Sequence, residues 1–172
     1  KTLTNEIFIP TFGPTGSFIW AKATPLYNSQ GIIVGAIESI RDITDMRRTE
    51  QTLERSKSEL RIASDMQRSF LPENIPHLSG FDLAATFIPA MDVRGDFYDF
   101  IPVGSDSWGI MIADVSGKGV PAALFMALSR TLIRATTTRN QDPALSIQEA
   151  NSLIFHDAKT CMFVTLFYAI LD

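Results

Sequence analysis

The chain has 172 residues and a net charge of −4, with 45% apolar and 20% charged residues, as in an ordinary globular protein. This charge balance excludes the basic face that a nucleic-acid-binding protein needs. The single cysteine, Cys161, excludes an internal disulfide framework and favours a reducing, cytoplasmic location. No run reaches the roughly 18 apolar residues of a membrane span, so we expect no membrane contact within this chain.

The first 44 residues have the pattern of antiparallel strands. Apolar, β-branched runs at 6–11, 17–26 and 32–41 are separated by turn-forming residues at 12–16 and 28–31. Because three strands rarely form a stable domain alone, we expect them to be the last part of a larger one. The chain also starts without a methionine and stops directly after an apolar run, so we expect a piece of a longer protein.

Residues 45–70 contain no glycine or proline and are predicted to form one long helix that ends before Pro72. Met46, Leu53 and Leu60 are spaced seven residues apart, which is a weak coiled-coil register. The spacing favours a helical connector that forms a homodimer. The alternative is a solvated helix that lies on its own domain.

The remainder, 71–172, mixes strands and helices. Strands are predicted at 81–89, 98–103, 108–115 and 161–171, the last of them fully buried, and a helix is predicted at 120–134. A further helix is predicted to begin at Ser146.

The ends of the predicted helices carry recognisable signals. Thr44 or Asp45 is expected to cap the first helix. Pro121 suits the first turn of the second helix, where its missing N–H is harmless. Ser146 and Glu149 have the spacing of a capping box for the third helix.

Two short stretches carry the chemistry: Gly-Asp-Phe-Tyr-Asp at 95–99 and Asp-Val-Ser-Gly-Lys-Gly at 114–119. Each places an acidic residue beside glycine at the edge of an apolar segment, with no histidine or cysteine nearby. Such carboxylates suit hard cations such as Mg²⁺ or Mn²⁺. Alone, an aspartate after glycine is more often a turn residue. Together, the stretches indicate half of a metal-dependent phosphate site. Lys118 does not have P-loop spacing, because Gly119 follows it.

The order of these motifs resembles one family. Residues 64–172, including Met-Gln-Arg-Ser-Phe-Leu-Pro at 66–72 and Phe-Val-Thr-Leu-Phe-Tyr at 163–168, are similar to the sporulation-protein-IIE (SpoIIE) branch of the PPM, or protein phosphatase 2C-like, serine/threonine phosphatases.

The first third resembles the C-terminal part of a PAS sensor domain. The residues that carry this likeness are Trp20, Pro-Leu-Tyr at 25–27, Gly31, Gly35 and Arg-Asp-Ile-Thr at 41–44.

The two resemblances imply an α+β chain with three parts. Residues 1–44 would be the C-terminal part of a PAS antiparallel sheet, 45–70 a coiled-coil-like linker, and 71–172 the N-terminal part of a PPM β-sandwich flanked by helices. The family hydrolyses phosphoserine and phosphothreonine with water activated by two ions, Mn²⁺ or Mg²⁺. Further metal-binding aspartates of the family lie beyond residue 172, so we expect this chain alone to bind metal weakly and to hydrolyse little.

The family pattern also implies roles for single residues. Asp96 would bind one ion, Asp114 would be shared between both, and Val115 would contribute its backbone carbonyl. Asp99 would either position a metal-bound water or cap a local turn. Arg94 replaces a family glycine, and it either grips a phosphate oxygen or faces solvent.

The resemblance implies a cytoplasmic, PAS-regulated phosphatase that acts on a phosphorylated regulatory protein of the anti-sigma-factor-antagonist type. The alternative is a non-enzymatic sensor or docking module derived from a phosphatase. A histidine kinase is excluded because neither His77 nor His156 lies on the linker helix, and a diguanylate cyclase because its Gly-Gly-Asp/Glu-Glu-Phe motif is absent.

Overall fold

The computed structural model describes residues 1–88, 93–157 and 161–171. Its contacts divide the chain into two compact units, Lys1–Ser58 and Glu59–Asp172, which are described separately. In the described part of the chain, no helix combines the length and the apolar character that a bilayer crossing requires.

The first unit is built on a three-stranded antiparallel sheet. Its strands β1 (Leu3–Ile9), β2 (Ser17–Tyr27) and β3 (Ile33–Asp42) lie in the order β1-β2-β3. Gly16 and Gly31 adopt φ angles of 76° in the two connecting turns, a conformation that other residues rarely adopt. The three predicted strands are confirmed, with ends that shift by up to three residues.

Helix α1 (Thr44–Phe70) follows β3, and its residues 44–58 belong to the first unit. The predicted cap was wrong. Asp42 accepts hydrogen bonds from the hydroxyl and the backbone N–H of Thr44, which hold the pKa of Asp42 below its usual value. The Thr44 hydroxyl oxygen instead accepts from the backbone N–H of Phe18 at 2.9 Å. The helix start is therefore tied to β2 rather than capped by its own first residue.

The second unit contains a three-stranded antiparallel sheet and two helices besides the end of α1. Strands β4 (Phe97–Pro102), β5 (Trp108–Val115) and β6 (Val164–Leu171) lie in the order β4-β5-β6. Helix α2 (Val120–Thr137) packs on β4 and β5, and helix α3 (Pro143–Asp157) packs on α2 and β6. The mixed α+β class is confirmed, with the helices on one face of the sheet.

The core of the second unit lies between the sheet and α2. Its sheet residues are spaced two apart along each strand, as the pleat requires: Phe97 and Ile101 in β4, and Met111, Ala113 and Val115 in β5. The helices contribute Ala122, Met126, Ile133 and Ala150. Ile112 in β5 and Phe167 in β6 lie at alternate positions, point to the uncovered face and are exposed.

Three expectations for this unit were wrong. Residues 82–88 form no strand, because they pair with none of the described strands; only an isolated bridge joins Leu78 to Phe81, and residue 89 lies outside the described part. Strand β6 begins only at Val164 and is not fully buried, since helices cover one of its faces.

The third error concerns the start of α3. The Asp142 carboxylate accepts from the backbone N–H groups of Ala144 and Leu145 at 2.8 and 3.2 Å, so the helix begins three residues earlier than predicted. Ser146 is buried and donates to the Asn140 carbonyl at 3.0 Å instead of forming a capping box with Glu149. Pro121 lies in the first turn of α2, as predicted.

Candidate active site

The register of the sheet brings Asp96 and Asp114 together. Asp114 is the second-last residue of β5, and Asp96 directly precedes β4. Because Phe97 pairs with Ala113, one further step along the antiparallel ladder places Asp96 opposite Asp114 on the same face. That face is the one that the helices leave open.

The two carboxylates line a cavity of about 590 Å³ on the open face. Arg94 and Tyr98 line it beside Asp96, and Thr165 lines it beside Asp114. The remaining wall is mainly apolar, from Thr86, Phe87, Ile88, Phe97, Ile112, Ala113, Leu166 and Phe167. The cavity thus combines an acidic centre with an apolar surround on the second unit.

The electrostatics of this pair favour a cation. Partial desolvation, a hydrogen bond with the Asp96 carboxyl group and the negative charge of Asp96 together raise the pKa of Asp114. Two adjacent carboxylates repel each other, and a dication between them would relieve that repulsion. The donor set therefore fits a divalent cation, although the described residues contain no cluster of three or more His, Cys, Asp or Glu side chains.

Gly95 allows the two motifs to approach. A Cβ atom at this position would lie 2.7 Å from the carbonyl oxygen of Val115 and 2.8 Å from its Cβ. Only glycine therefore fits without a shift of the backbone. The Val115 side chain lies in the core, and its carbonyl lies against Gly95, one residue from Asp96.

The loop after β5 is hydrogen-bonded to the segment that precedes β6. The Ser116 N–H donates to the Phe163 carbonyl at 2.8 Å, and the Ser116 hydroxyl accepts from the Phe163 N–H at 2.9 Å. Gly117 and Gly119 have φ angles of 95° and 74°, which are needed for this tight turn into α2. Lys118 is exposed.

Arg94 lies beside the pair rather than in solvent. Its side chain is 17% exposed, and its Nη1 atom lies 3.7 Å from Oδ2 of Asp96. Its Nη2 atom is buried and has no hydrogen-bond partner among the described residues. No described residue other than glycine has positive φ, so Arg94 carries no strain of that kind.

Asp99 is not brought to the pair. Its side chain is 1% exposed and faces the helices, because residues 96 and 99 lie on opposite faces of the pleat. It accepts from Arg130 Nη2 at 2.9 Å and from Arg134 Nη1 at 2.9 Å. In place of both expectations for Asp99, a role at a metal-bound water and a turn cap, the structure has an ion pair between this buried residue of β4 and two arginines of α2.

Three residues of this region were not predicted from the sequence. Arg130 and Arg134 lie four apart on α2, and this spacing places them on the same side of a helix as partners for Asp99. Gln67 hydrogen-bonds the backbone of Arg94, and no local pattern signals that contact.

The mixed α+β fold resembles part of a PP2C domain. The chain resembles the SiaA-PP2C domain of Pseudomonas aeruginosa with a TM-score of 0.53 and 28% identity, over 67% of this chain and 49% of that one. Residues 104–172 match the family model of Stage II sporulation protein E (SpoIIE). These comparisons support a SpoIIE-like phosphatase of the PPM type.

Curated relatives agree with this family. Phosphoserine phosphatase RsbU of Bacillus subtilis is 34% identical over 113 residues, which are 66% of this chain and 33% of the relative. Protein IcfG of Synechocystis is 38% identical over 96 residues, 56% of this chain and 15% of the relative. Phosphoserine phosphatase RsbP of Bacillus subtilis is 25% identical over 121 residues, 68% and 30% of the two proteins. The chain thus spans a third or less of these relatives.

Proposed function

We propose that the second unit is part of a metal-dependent protein phosphatase that hydrolyses phosphoserine or phosphothreonine. The observation that carries this proposal is the placement of Asp96 and Asp114 opposite each other on the open face of the sheet. The match to the SpoIIE family and the likeness to two phosphoserine phosphatases support it.

The donor set assigns a task to each residue. Asp96 and Asp114 would hold Mn²⁺ or Mg²⁺, with the carbonyl of Val115 as a third oxygen donor. When bound, two such ions lower the pKa of the attacking water and neutralise the charge of the phosphoryl group. Arg94 would donate to a phosphate oxygen, because its buried Nη2 is unpaired and its guanidinium already lines the cavity.

The substrate that this cavity suits best is a phosphorylated side chain on a protein. The cavity is open, and the Asp96 side chain is 52% exposed, so a phosphoryl group on a protein surface can reach the carboxylates. We propose a phosphorylated regulator of the anti-sigma-factor-antagonist type as the partner, in the cytoplasm.

The function is tested by turnover of a phosphoserine peptide in the protein that contains this chain, with Mn²⁺ present. Asp96→Asn and Asp114→Asn should each abolish turnover, because an amide cannot replace a carboxylate charge at the ion. Asp106→Asn is the matched control, since Asp106 is exposed in the turn between β4 and β5. A protein that binds the phosphopeptide with Mn²⁺ but never releases phosphate would be the docking module instead.

We further propose that residues 1–44 are the end of a PAS sensor, 45–70 the linker and 71–172 the phosphatase segment. The antiparallel sheet and the hydrogen bonds that tie Asp42, Thr44 and β2 to the helix start support a direct connection from sensor to linker. Met46 and Leu53 are exposed on α1, as a dimer seam would leave them in one chain.

The dimer is tested by the sedimentation of the chain. Leu53→Glu should shift it to monomer, because a charge in the seam is not compensated by a partner. Ser58→Glu, which lies on the opposite side of the heptad, should leave the distribution unchanged. Equal sedimentation of the wild type and Leu53→Glu would contradict a seam at this position.

A further inference from the structure

One buried amide stands out at the C-terminal end of α1. Gln67 is 7% exposed, whereas its neighbour Met66 and the last residue of the helix, Phe70, are exposed. A buried side-chain amide needs hydrogen-bond partners, because an unpaired polar group in the interior is costly. The partners of Gln67 are therefore informative.

Both partners belong to one residue. The Arg94 backbone N–H donates to Gln67 Oε1 at 3.0 Å, and Gln67 Nε2 donates to the Arg94 carbonyl at 2.5 Å. A neighbouring strand would supply the same pair of hydrogen bonds, but residue 94 precedes β4 and pairs with none of the described strands. The amide of Gln67 thus holds the backbone of Arg94 by its donor and its acceptor at once.

The held backbone leads directly to the carboxylate pair. Arg94 is followed by Gly95, whose α-carbon is packed against the backbone of Val115 at the end of β5. Asp96 comes next. Its own side chain is half exposed, and its one ion pair in the described residues, to Arg94, is 3.7 Å long. Apart from this ion pair, the side-chain contact of Asp96 in the described part of the chain is the one to Asp114 itself, so the placement of Asp96 relative to Asp114 depends on its backbone.

We propose that Gln67 is a positioning residue, whose amide fixes the backbone of Arg94 and thereby the distance between the Asp96 and Asp114 carboxylates and their affinity for a divalent cation. This inference rests on the proposed function, because it takes the pair to be a cation site. A hydrogen bond of 3.0 Å is lost once it is stretched to about 3.6 Å. Because the second hydrogen bond is 2.5 Å long, a shift of α1 by slightly more than about 1 Å would break both bonds to the Arg94 backbone.

The direct test measures Mn²⁺ affinity by electron paramagnetic resonance on the 172-residue chain. Gln67→Met keeps the length of the side chain and removes both hydrogen bonds. We expect its Mn²⁺ affinity to fall about tenfold, the usual effect of removing a residue that orients a metal ligand. Gln51→Met is the matched control, since Gln51 is an exposed glutamine on the same helix; its affinity should equal that of the wild type.

A second measurement needs no variant and so does not depend on the fold of Gln67→Met. If the two hydrogen bonds between Gln67 and the Arg94 backbone set the cation affinity, thermodynamic linkage requires that a bound cation strengthens those hydrogen bonds. Saturating Mg²⁺ should therefore slow hydrogen exchange at the Arg94 amide in the wild type. A purely structural glutamine would lower the unfolding temperature of Gln67→Met and change neither readout.

The outcomes separate the two proposals. If the wild type binds no Mn²⁺, the cation site itself fails and the proposed function with it. If the wild type and Gln67→Met bind Mn²⁺ equally, or Mg²⁺ leaves Arg94 exchange unchanged, the positioning role fails and the cation site stands.

Discussion

The two faces of the β4-β5-β6 sheet place aspartates in opposite environments. On the helix-covered face, Asp99 is fully buried and neutralised by Arg130 and Arg134. On the open face, Asp96 and Asp114 lie against each other, and the pKa of Asp114 is raised by desolvation and by its acidic neighbour. The charge of Asp99 is already balanced by the two arginines, whereas the charges of Asp96 and Asp114 would be balanced by an added cation. Two acidic residues three positions apart in one motif therefore have different roles: one supports the fold, and the other forms the site.

The largest expected effect is on the covered face. Asp99→Ala should lower the free energy of unfolding by about 3 kcal/mol, because it leaves the mostly buried Arg130 and the partly exposed Arg134 without their counter-charge. Urea unfolding of the metal-free chain measures this loss, with Asp106→Ala as the exposed control. A loss below about 1 kcal/mol would show that the ion pair does not matter for stability.

An intermediate effect is expected where the open-face motifs meet. Gly95→Ala places a Cβ atom 2.7 Å from the Val115 carbonyl oxygen, so one of the two backbones must move. We expect Mn²⁺ affinity to fall about tenfold, since outer contacts of a metal site have effects of this size. The matched control is Gly104→Ala, where the nearest atom to an added Cβ is 3.5 Å away. Unchanged affinity in Gly95→Ala would mean that this contact does not position Asp96.

The smallest expected effect is on stability at the open face. Asp114→Asn should change the free energy of unfolding by no more than about 0.5 kcal/mol, because an exposed carboxylate makes no buried ion pair that could be lost. Urea unfolding of the metal-free chain is again the measurement. A loss as large as that of Asp99→Ala would erase the distinction between the two faces.

Local patterns predicted the elements that carry the site. Strand β5 has the predicted bounds, Trp108–Val115, and the alternation of apolar residues along it already separates Asp114 from the core. Gly95 lies where a Cβ atom would collide with Val115, and Gly119 lies where the backbone has a positive φ angle. These features were accessible because each depends on neighbours within a few residues.

Contacts between distant segments were not accessible in the same way. The arginines that pair with Asp99 lie 31 and 35 positions later, on α2. That Asp99 faces them follows only from the alternation of side chains along β4 between the two faces of the sheet. Gln67 bonds a backbone 27 residues away. The stretch 82–88 has a strand-like composition but no strand to pair with. Composition indicates whether a segment favours a strand conformation. Whether the segment pairs depends on which other strands the fold brings beside it.

The central claim is that Asp96 and Asp114 share a divalent cation. An anomalous-difference map from a crystal of this chain soaked in Mn²⁺ tests it directly. We expect a peak between the two carboxylates, within bonding distance of an oxygen from each. A peak that contacts one of them alone, or a map with no peak at this position, would contradict the claim.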